Sequence, residues 1–269
     1  MTSLCKANLT EEKETLFITL YAKALDYRSK YSVLQDKAAE DILRSVNYDF
    51  SKYSPVGNSI MVIRARHFDQ WIKAFVQKNK NAVVVYLGCG LDTRIKRINP
   101  PLTVQWFDVD YPEVIELRRN FFEESNSYTM IASSVTGTNW LEKIPSGIPA
   151  MIIAEELLEY LEAEEVKILL NRITTHFKKG EIIFDVMNSF AIQSGKEKLK
   201  QTTGAVHKWA VDNISEVDKL DPALSRKEAL SVFRSPYIKN LSLGSRVLYG
   251  LMLCIPKFKN MICLLRYAF

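Results

Sequence analysis

The stretch "VVVYLGCGLDTR", residues 83–94, sets an apolar, β-branched run against a glycine-rich turn. A fully apolar run of this length fits a strand buried on both faces. Glycines directly after such a strand let the backbone turn sharply and come close to a ligand. Turns of this kind hold a phosphate, a dinucleotide or a nucleoside. The third glycine of the GxGxxG dinucleotide pattern falls here on Thr93. No Gly-Lys-Ser/Thr follows, so the phosphate-binding P-loop pattern is missing too.

Downstream, short apolar runs alternate with helical stretches. "TVQWFDV", "SYTMIA", "AMIIA" and "EIIFDVM" read as strands, and "YPEVIELRRNFFEE" and "EAEEVKILLNRITTHF" as the helices between them. That alternation predicts βαβ units and a parallel sheet covered on both faces. Ligands of such sheets sit at the carboxyl ends of the strands. The second strand ends at Asp110, about 20 residues beyond the glycines, where a carboxylate can accept both hydrogen bonds of a ribose diol. Asp110 and Pro112 also suit the cap and first turn of the next helix, and the two roles are compatible. A ribose-binding acid without a third glycine favours S-adenosylmethionine (SAM), which has no pyrophosphate to cradle, over NAD.

Upstream, Leu16, Leu20, Ala24, Val33, Ala38, Ile42 and Val46 recur at helical spacing, with a break near "RSKYS". "YDFSKYSPVGN" reads as a loop and "SIMVIRARHFDQWIKAFVQKN" as an amphipathic helix. The chain of 269 residues is 47% hydrophobic and 25% charged, as expected of one sizeable soluble domain. A net charge of +5 is too diffuse to argue for nucleic acid. The four cysteines show no CxxC pairing and read as reduced thiols; the three histidines lack metal-ligand spacing, so no metal is expected. No signal peptide or spanning helix is expected, which points to a cytoplasmic protein with no membrane partner. The C-terminal "SRVLYGLMLCIPKFKNMICLLRY" is expected to be a core helix and strand rather than a basic membrane-surface segment.

"VVVYLGCGLDTRIKRI", "WFDVDYPEVIELRR" and "AEELLEYLEAEEVKILLNRI" resemble the leucine carboxyl methyltransferase family, including its bacterial polyketide O-methyltransferase branch. The resemblance runs from about Thr15 through "IRARHFDQWI" to the final "LLRYAF". It implies an α/β fold of the class I methyltransferase (Rossmann-like) type: a seven-stranded, mostly parallel sheet flanked by helices, with "MICLLRYAF" as an antiparallel last strand. A single domain is expected, with a helical part over residues 1–80, a core over 81–269 and a substrate-pocket insertion around 188–235.

The same resemblance implies roles for single residues. Arg64 grips the methionyl carboxylate of SAM, a task for which a guanidinium fork is suited. Gly88 and Gly90 form the turn under the cofactor, and Asp110 binds the ribose. Glu155, directly after the fourth strand, faces the methionyl amino group. Asp92 and Arg94 match the family's "LDTR" string, and bracing the turn would by itself account for them. Ser134 and Val135 take the places where many relatives carry an acid and a leucine beside the adenine. The expected activity is SAM-dependent transfer of a methyl group to a carboxylate or hydroxyl oxygen of a small molecule. A protein C-terminal carboxyl acceptor, an NAD-dependent oxidoreductase and a non-catalytic SAM-binding protein are the alternatives. The catalytic base is unassigned; His207, in "GAVHKWAVDN", is the candidate for a phenol acceptor.

Overall fold

The computed structural model describes residues 9–53 and 58–269, with the backbone of Cys5 and Lys6. A two-residue parallel ladder, β1 Cys5–Lys6 with β2 Val46–Asn47, ties the start of the chain to the helical N-terminal part. The main sheet has seven strands: β3 Ala82–Leu87, β4 Val104–Asp110, β5 Tyr128–Ala132, β6 Ala150–Ala154, β7 Gly180–Met187, β8 Ser225–Ser231 and β9 Ile262–Ala268. Their order is β5-β4-β3-β6-β7-β9-β8. Pairings from β5 through β7 are parallel, and β9 is antiparallel to both its neighbours. This is the mostly parallel sheet with an antiparallel last strand that the sequence implied.

Strand β3 is apolar throughout because it has a core on each side. Ala82, Val84 and Tyr86 enter one core, and Val83, Val85 and Leu87 the other. Helices α1 Leu16–Arg28, α2 Lys37–Ser45 and α3 Asn58–Lys78 cover the first face. There Phe68, Trp71, Ile72 and Phe75 of α3 recur at helical spacing against the sheet. Two short helices follow: α4 Arg94–Ile98 after the glycine turn and α5 Pro112–Arg118, with its proline at the first helical position. Helix α6 Ala163–His176 covers the second face with Val166, Leu169, Leu170 and Ile173. The later helices are α7 Ser189–Thr203, α8 Ile214–Val217, α9 Leu243–Leu253 and α10 Pro256–Lys259.

Two sequence expectations change. Residues 188–235 are not simply an insertion, because β8 belongs to the sheet; within that stretch only Gly204, Ala205, Val206 and Lys208 reach the main cavity. Strand β8, "SRKEALS", is a mostly exposed edge strand with a register shift between Arg226 and Glu228, so it carries no apolar run to betray it. The C-terminal strand β9 is core, but helix α9 is not. Only Tyr249 of α9 is buried, while Leu243, Val247, Leu248 and Leu251 are exposed. Apolar composition alone could not separate a buried helix from one lying on the surface.

Candidate active site

Strands β3 and β6 lie side by side at the point where the strand order reverses, and a cavity of about 430 Å³ opens at their carboxyl ends. Gly88 and Gly90 end β3 with φ of +63° and +50°. A Cβ at Gly88 would come within 2.9 Å of Leu157 Cδ1, and one at Gly90 within 3.0 Å of Leu16 Cβ. Both backbone angle and space therefore call for glycine. The Gly90 N–H donates to Asp110 Oδ2 at 2.8 Å, and the Tyr111 N–H donates to Oδ1 at 2.7 Å. These bonds fix the carboxylate at the end of β4 and leave each oxygen a free lone pair toward the cavity. Burial pushes Asp110 up to about 6, although the Gly90 and Tyr111 N–H groups and Arg118 oppose it.

Two segments close over the cavity. Glu11, Glu12, Lys13, Thr15 and Leu16 precede and begin α1, and Gly204 to Val206 with Lys208 follow α7. The second segment is tied down where the Lys208 and Trp209 N–H groups both donate to the Glu159 carbonyl, at 2.7 and 3.2 Å. Seven acidic residues and three lysines line the space. An acidic lining suits a ligand carrying cationic groups and repels a pyrophosphate. With the glycine turn and Asp110 it fits a nucleoside sulfonium such as SAM.

Behind the floor lies a buried ion network. Arg94 pairs with Asp69 at 2.8 Å and with Glu155, and Lys23 pairs with Asp92 at 2.9 Å. Arg64 spends its three nitrogens on three carboxylates: Nε on Glu155 at 3.2 Å, Nη1 on Asp185 at 2.8 Å and Nη2 on Glu156 at 2.6 Å. Burial alone would push Glu155 up, but Arg94, Lys23 and Arg64 hold it at about 2, so it is ionised. Asp185 is pushed up to about 6 by burial, with Arg64 opposing. Glu156, directly after Glu155, has φ of +51°, and its N–H donates to Asp185 Oδ1 at 2.8 Å. A non-glycine residue held there is strained, and such strain gathers at functional sites.

Of the residues singled out in the sequence, Gly88, Gly90, Asp110, Ser134, Val135 and Glu155 all line this one cavity. Arg64 does not line it; it lies behind the acidic floor. Asp92 lines the cavity, whereas Arg94 sits fully buried beneath it, over the Tyr86 ring at 4.8 Å. His207 falls between lining residues but packs against the Tyr160 ring, 5.0 Å between centroids, with a buried Nδ1 that lacks a partner. Burial lowers its pKa, with Glu156 opposing.

Sequence reasoning missed Lys23, Tyr86, Glu156 and Tyr160 on the wall and Asp185 behind it. Two carried a readable signal. Lys23 sits one position from Ala24 on the apolar face of α1, where it is buried, and Asp185 interrupts the apolar strand "EIIFDVM".

Comparison with known proteins agrees with this geometry. The leucine carboxyl methyltransferase family model matches residues 5–174. The tetracenomycin polyketide synthesis O-methyltransferase TcmP of Streptomyces glaucescens is 36% identical over 97% of this chain and 98% of its own. The SAM-dependent methyltransferase dpfgK of Gibberella zeae is 32% identical over 84% of each chain. A crystal structure from Thermobifida fusca YX, assigned as a methyltransferase, superposes with a TM-score of 0.61 at 11% identity, over 91% of this chain and 93% of its own, and so shares the fold. The chain belongs to the leucine carboxyl methyltransferase family and is a SAM-dependent methyltransferase.

Proposed function

We propose that the chain methylates a carboxylate oxygen of a small molecule, with SAM held across the ends of β3, β4 and β6. One observation carries the choice of acceptor: among the described residues no histidine lines the cavity. A carboxylic acid has a pKa of roughly 4, so it is ionised at neutral pH and needs no base, whereas a phenol near 10 does. The similarity to TcmP supports an oxygen acceptor on a polyketide-like molecule.

SAM, when bound, supplies a methyl group activated by its sulfonium. The chain's own residues bind and orient the partners. Gly88 and Gly90 let the nucleoside approach the backbone, Asp110 accepts from the ribose hydroxyls, and Ser134 and Val135 border the adenine. Glu155 and Glu156 face the amino group. Lys23, the buried cation on the wall, takes the methionyl carboxylate, with Arg64 holding the floor in place behind it. Lys208, on the segment over the cavity, is a cation placed to meet an anionic acceptor.

The test is transfer from labelled methyl-SAM to a panel of carboxylic acids, phenols and peptides. At saturating SAM, kcat with a carboxylic acid stays flat between about pH 6 and 9, and His207→Ala leaves it unchanged. Phenol products with a rising limb that His207→Ala removes would overturn the carboxylate reading. Labelling of peptide C-termini alone would overturn the small-molecule one.

A further inference from the structure

The charge of this chain is unevenly placed. Of 36 Lys and Arg residues, six lie in residues 229–269, a stretch with no Asp or Glu side chain. The other 228 residues hold 30 basic against all 31 acidic side chains, so the positive balance of the molecule belongs to its C-terminal stretch. Arg266 is committed to Glu181 at 2.7 Å. Arg234, Lys239, Arg246, Lys257 and Lys259 have no acidic partner within 4 Å among the described residues.

The same stretch carries five of the ten large hydrophobic residues exposed among the described residues. Leu243, Val247, Leu248 and Leu251 of α9 and Ile255 after it recur at helical spacing, exposed by 72%, 56%, 55%, 61% and 45%. The opposite side of α9 is anchored: Tyr249 packs on Phe233, 5.2 Å between ring centroids, and its hydroxyl bonds Ser59 Oγ. The helix is therefore held against the body with its aliphatic row outward. An open depression lined by Ile238, Lys239, Leu243, Arg246 and Val247 joins the apolar row to the basic side chains. Five projecting aliphatics continuous with the basic Lys239 and Arg246, in a stretch without acidic side chains, match a surface that is anionic outside and apolar just beneath. A second copy of the chain is a poor occupant, because a twofold contact here would set basic groups against basic groups.

We propose that α9 and its flanking turns dock this methyltransferase on an anionic lipid surface, with Leu243, Val247, Leu248, Leu251 and Ile255 entering the headgroup region and Lys239, Arg246 and Lys257 meeting acidic headgroups. No helix of the described residues is long and apolar enough to cross a membrane, so the contact is peripheral. It is independent of the acceptor chosen above.

The full chain is sedimented with vesicles of phosphatidylcholine alone and of phosphatidylcholine mixed with phosphatidylglycerol. Binding to the mixed vesicles should exceed that to neutral ones at least about tenfold and weaken with salt. Lys239→Glu/Arg246→Glu/Lys257→Glu should lower partitioning by more than about fivefold for each charge removed. Leu248→Ser/Leu251→Ser should lower it comparably at unchanged charge, while melting temperature and SAM affinity stay at wild-type values. Wild-type protein left in the supernatant with both vesicles would overturn the proposal, as would equal binding to neutral vesicles. So would a leucine variant that binds like wild type, or a wild-type dimer that the leucine variant dissociates.

Discussion

Acidification probes Asp110 most directly. Burial pushes its carboxyl up to about 6, outweighing the help of the Gly90 and Tyr111 N–H groups and Arg118. In the proposed ribose role the ionised carboxylate accepts from both hydroxyls, whereas a protonated one has to give up one of these bonds, so affinity for SAM should be complete well above pH 6 and fall as pH drops through it. With one proton competing, the apparent Kd rises about twofold at pH 6 and about tenfold at pH 5 relative to pH 8. Asp110→Asn should weaken binding at pH 8 by about 1.5–3 kcal/mol for a lost charge-assisted hydrogen bond, roughly tenfold to a hundredfold. The amide oxygen can also accept from only one of the two N–H groups that now meet the carboxylate. The assay is calorimetric titration with SAM from pH 5 to 8. The variant's Kd should be nearly flat across this range, with any residual slope coming from Asp185, which also sits at about 6 beside Arg64. A pH-independent Kd in wild type, or the same slope in Asp110→Asn, would refute the assignment.

Lys23→Ala should weaken SAM binding about tenfold or more with a modest loss of stability, whereas Arg64→Ala should cost about 3–5 kcal/mol in urea unfolding by stranding buried carboxylates; an Arg64→Ala protein as stable as wild type would remove its bracing role. Glu159 is buried with neither carboxylate oxygen hydrogen-bonded, and burial with nearby Asp185 and Glu156 raises its pKa well above the usual range. Its folded state holds the proton more tightly than the unfolded one, so wild-type stability should decline as pH rises above about 4.5, and Glu159→Gln should flatten that decline; parallel urea curves at pH 5 and 8 decide it. Gly88→Ala must adopt a φ near +63°, costing about 1–2 kcal/mol of stability, and should weaken SAM binding as well; an unchanged melting temperature would contradict the turn's need for glycine.

The parts of the fold that sequence revealed are those where one physical demand dominates. Strand β3 must be apolar on both faces, so "AVVVYL" shows itself, and Asp110 stands out as a carboxylate ending such a strand. Glu155 was separable from the neighbouring glutamates because it directly follows "AMIIA". The less visible parts answer two demands at once. Strand β8 pairs its backbone with β9 while exposing its side chains, so its pattern is that of a loop. Lys23 lies on a buried helix face but is charged, and only the partner Asp92, 69 residues away, explains it. Arg64 reads as a ligand for a carboxylate, and it does bind carboxylates, but in this conformation they are the protein's own.

That last point bears on how the cavity is built. An acidic wall in a partly closed space is costly unless cations stand near it. Arg64 and Arg94 supply them from behind, where they do not occupy the ligand's volume. They keep Glu155 ionised while its edge remains on the cavity. Glu156 bears the geometric consequence: to reach Arg64 while its N–H meets Asp185, its backbone adopts the left-handed region. Lys23 lies on the same wall as the acids, so in the proposed placement both ends of a methionyl group would meet opposite charges. The lining holds seven acidic residues against three lysines, and a ligand with a sulfonium and an ammonium would balance that excess. The strain at Glu156 and the saturation of Arg64 thus have one cause, a set of carboxylates fixed in advance, and the proposed placement of SAM brings its positive charge to them.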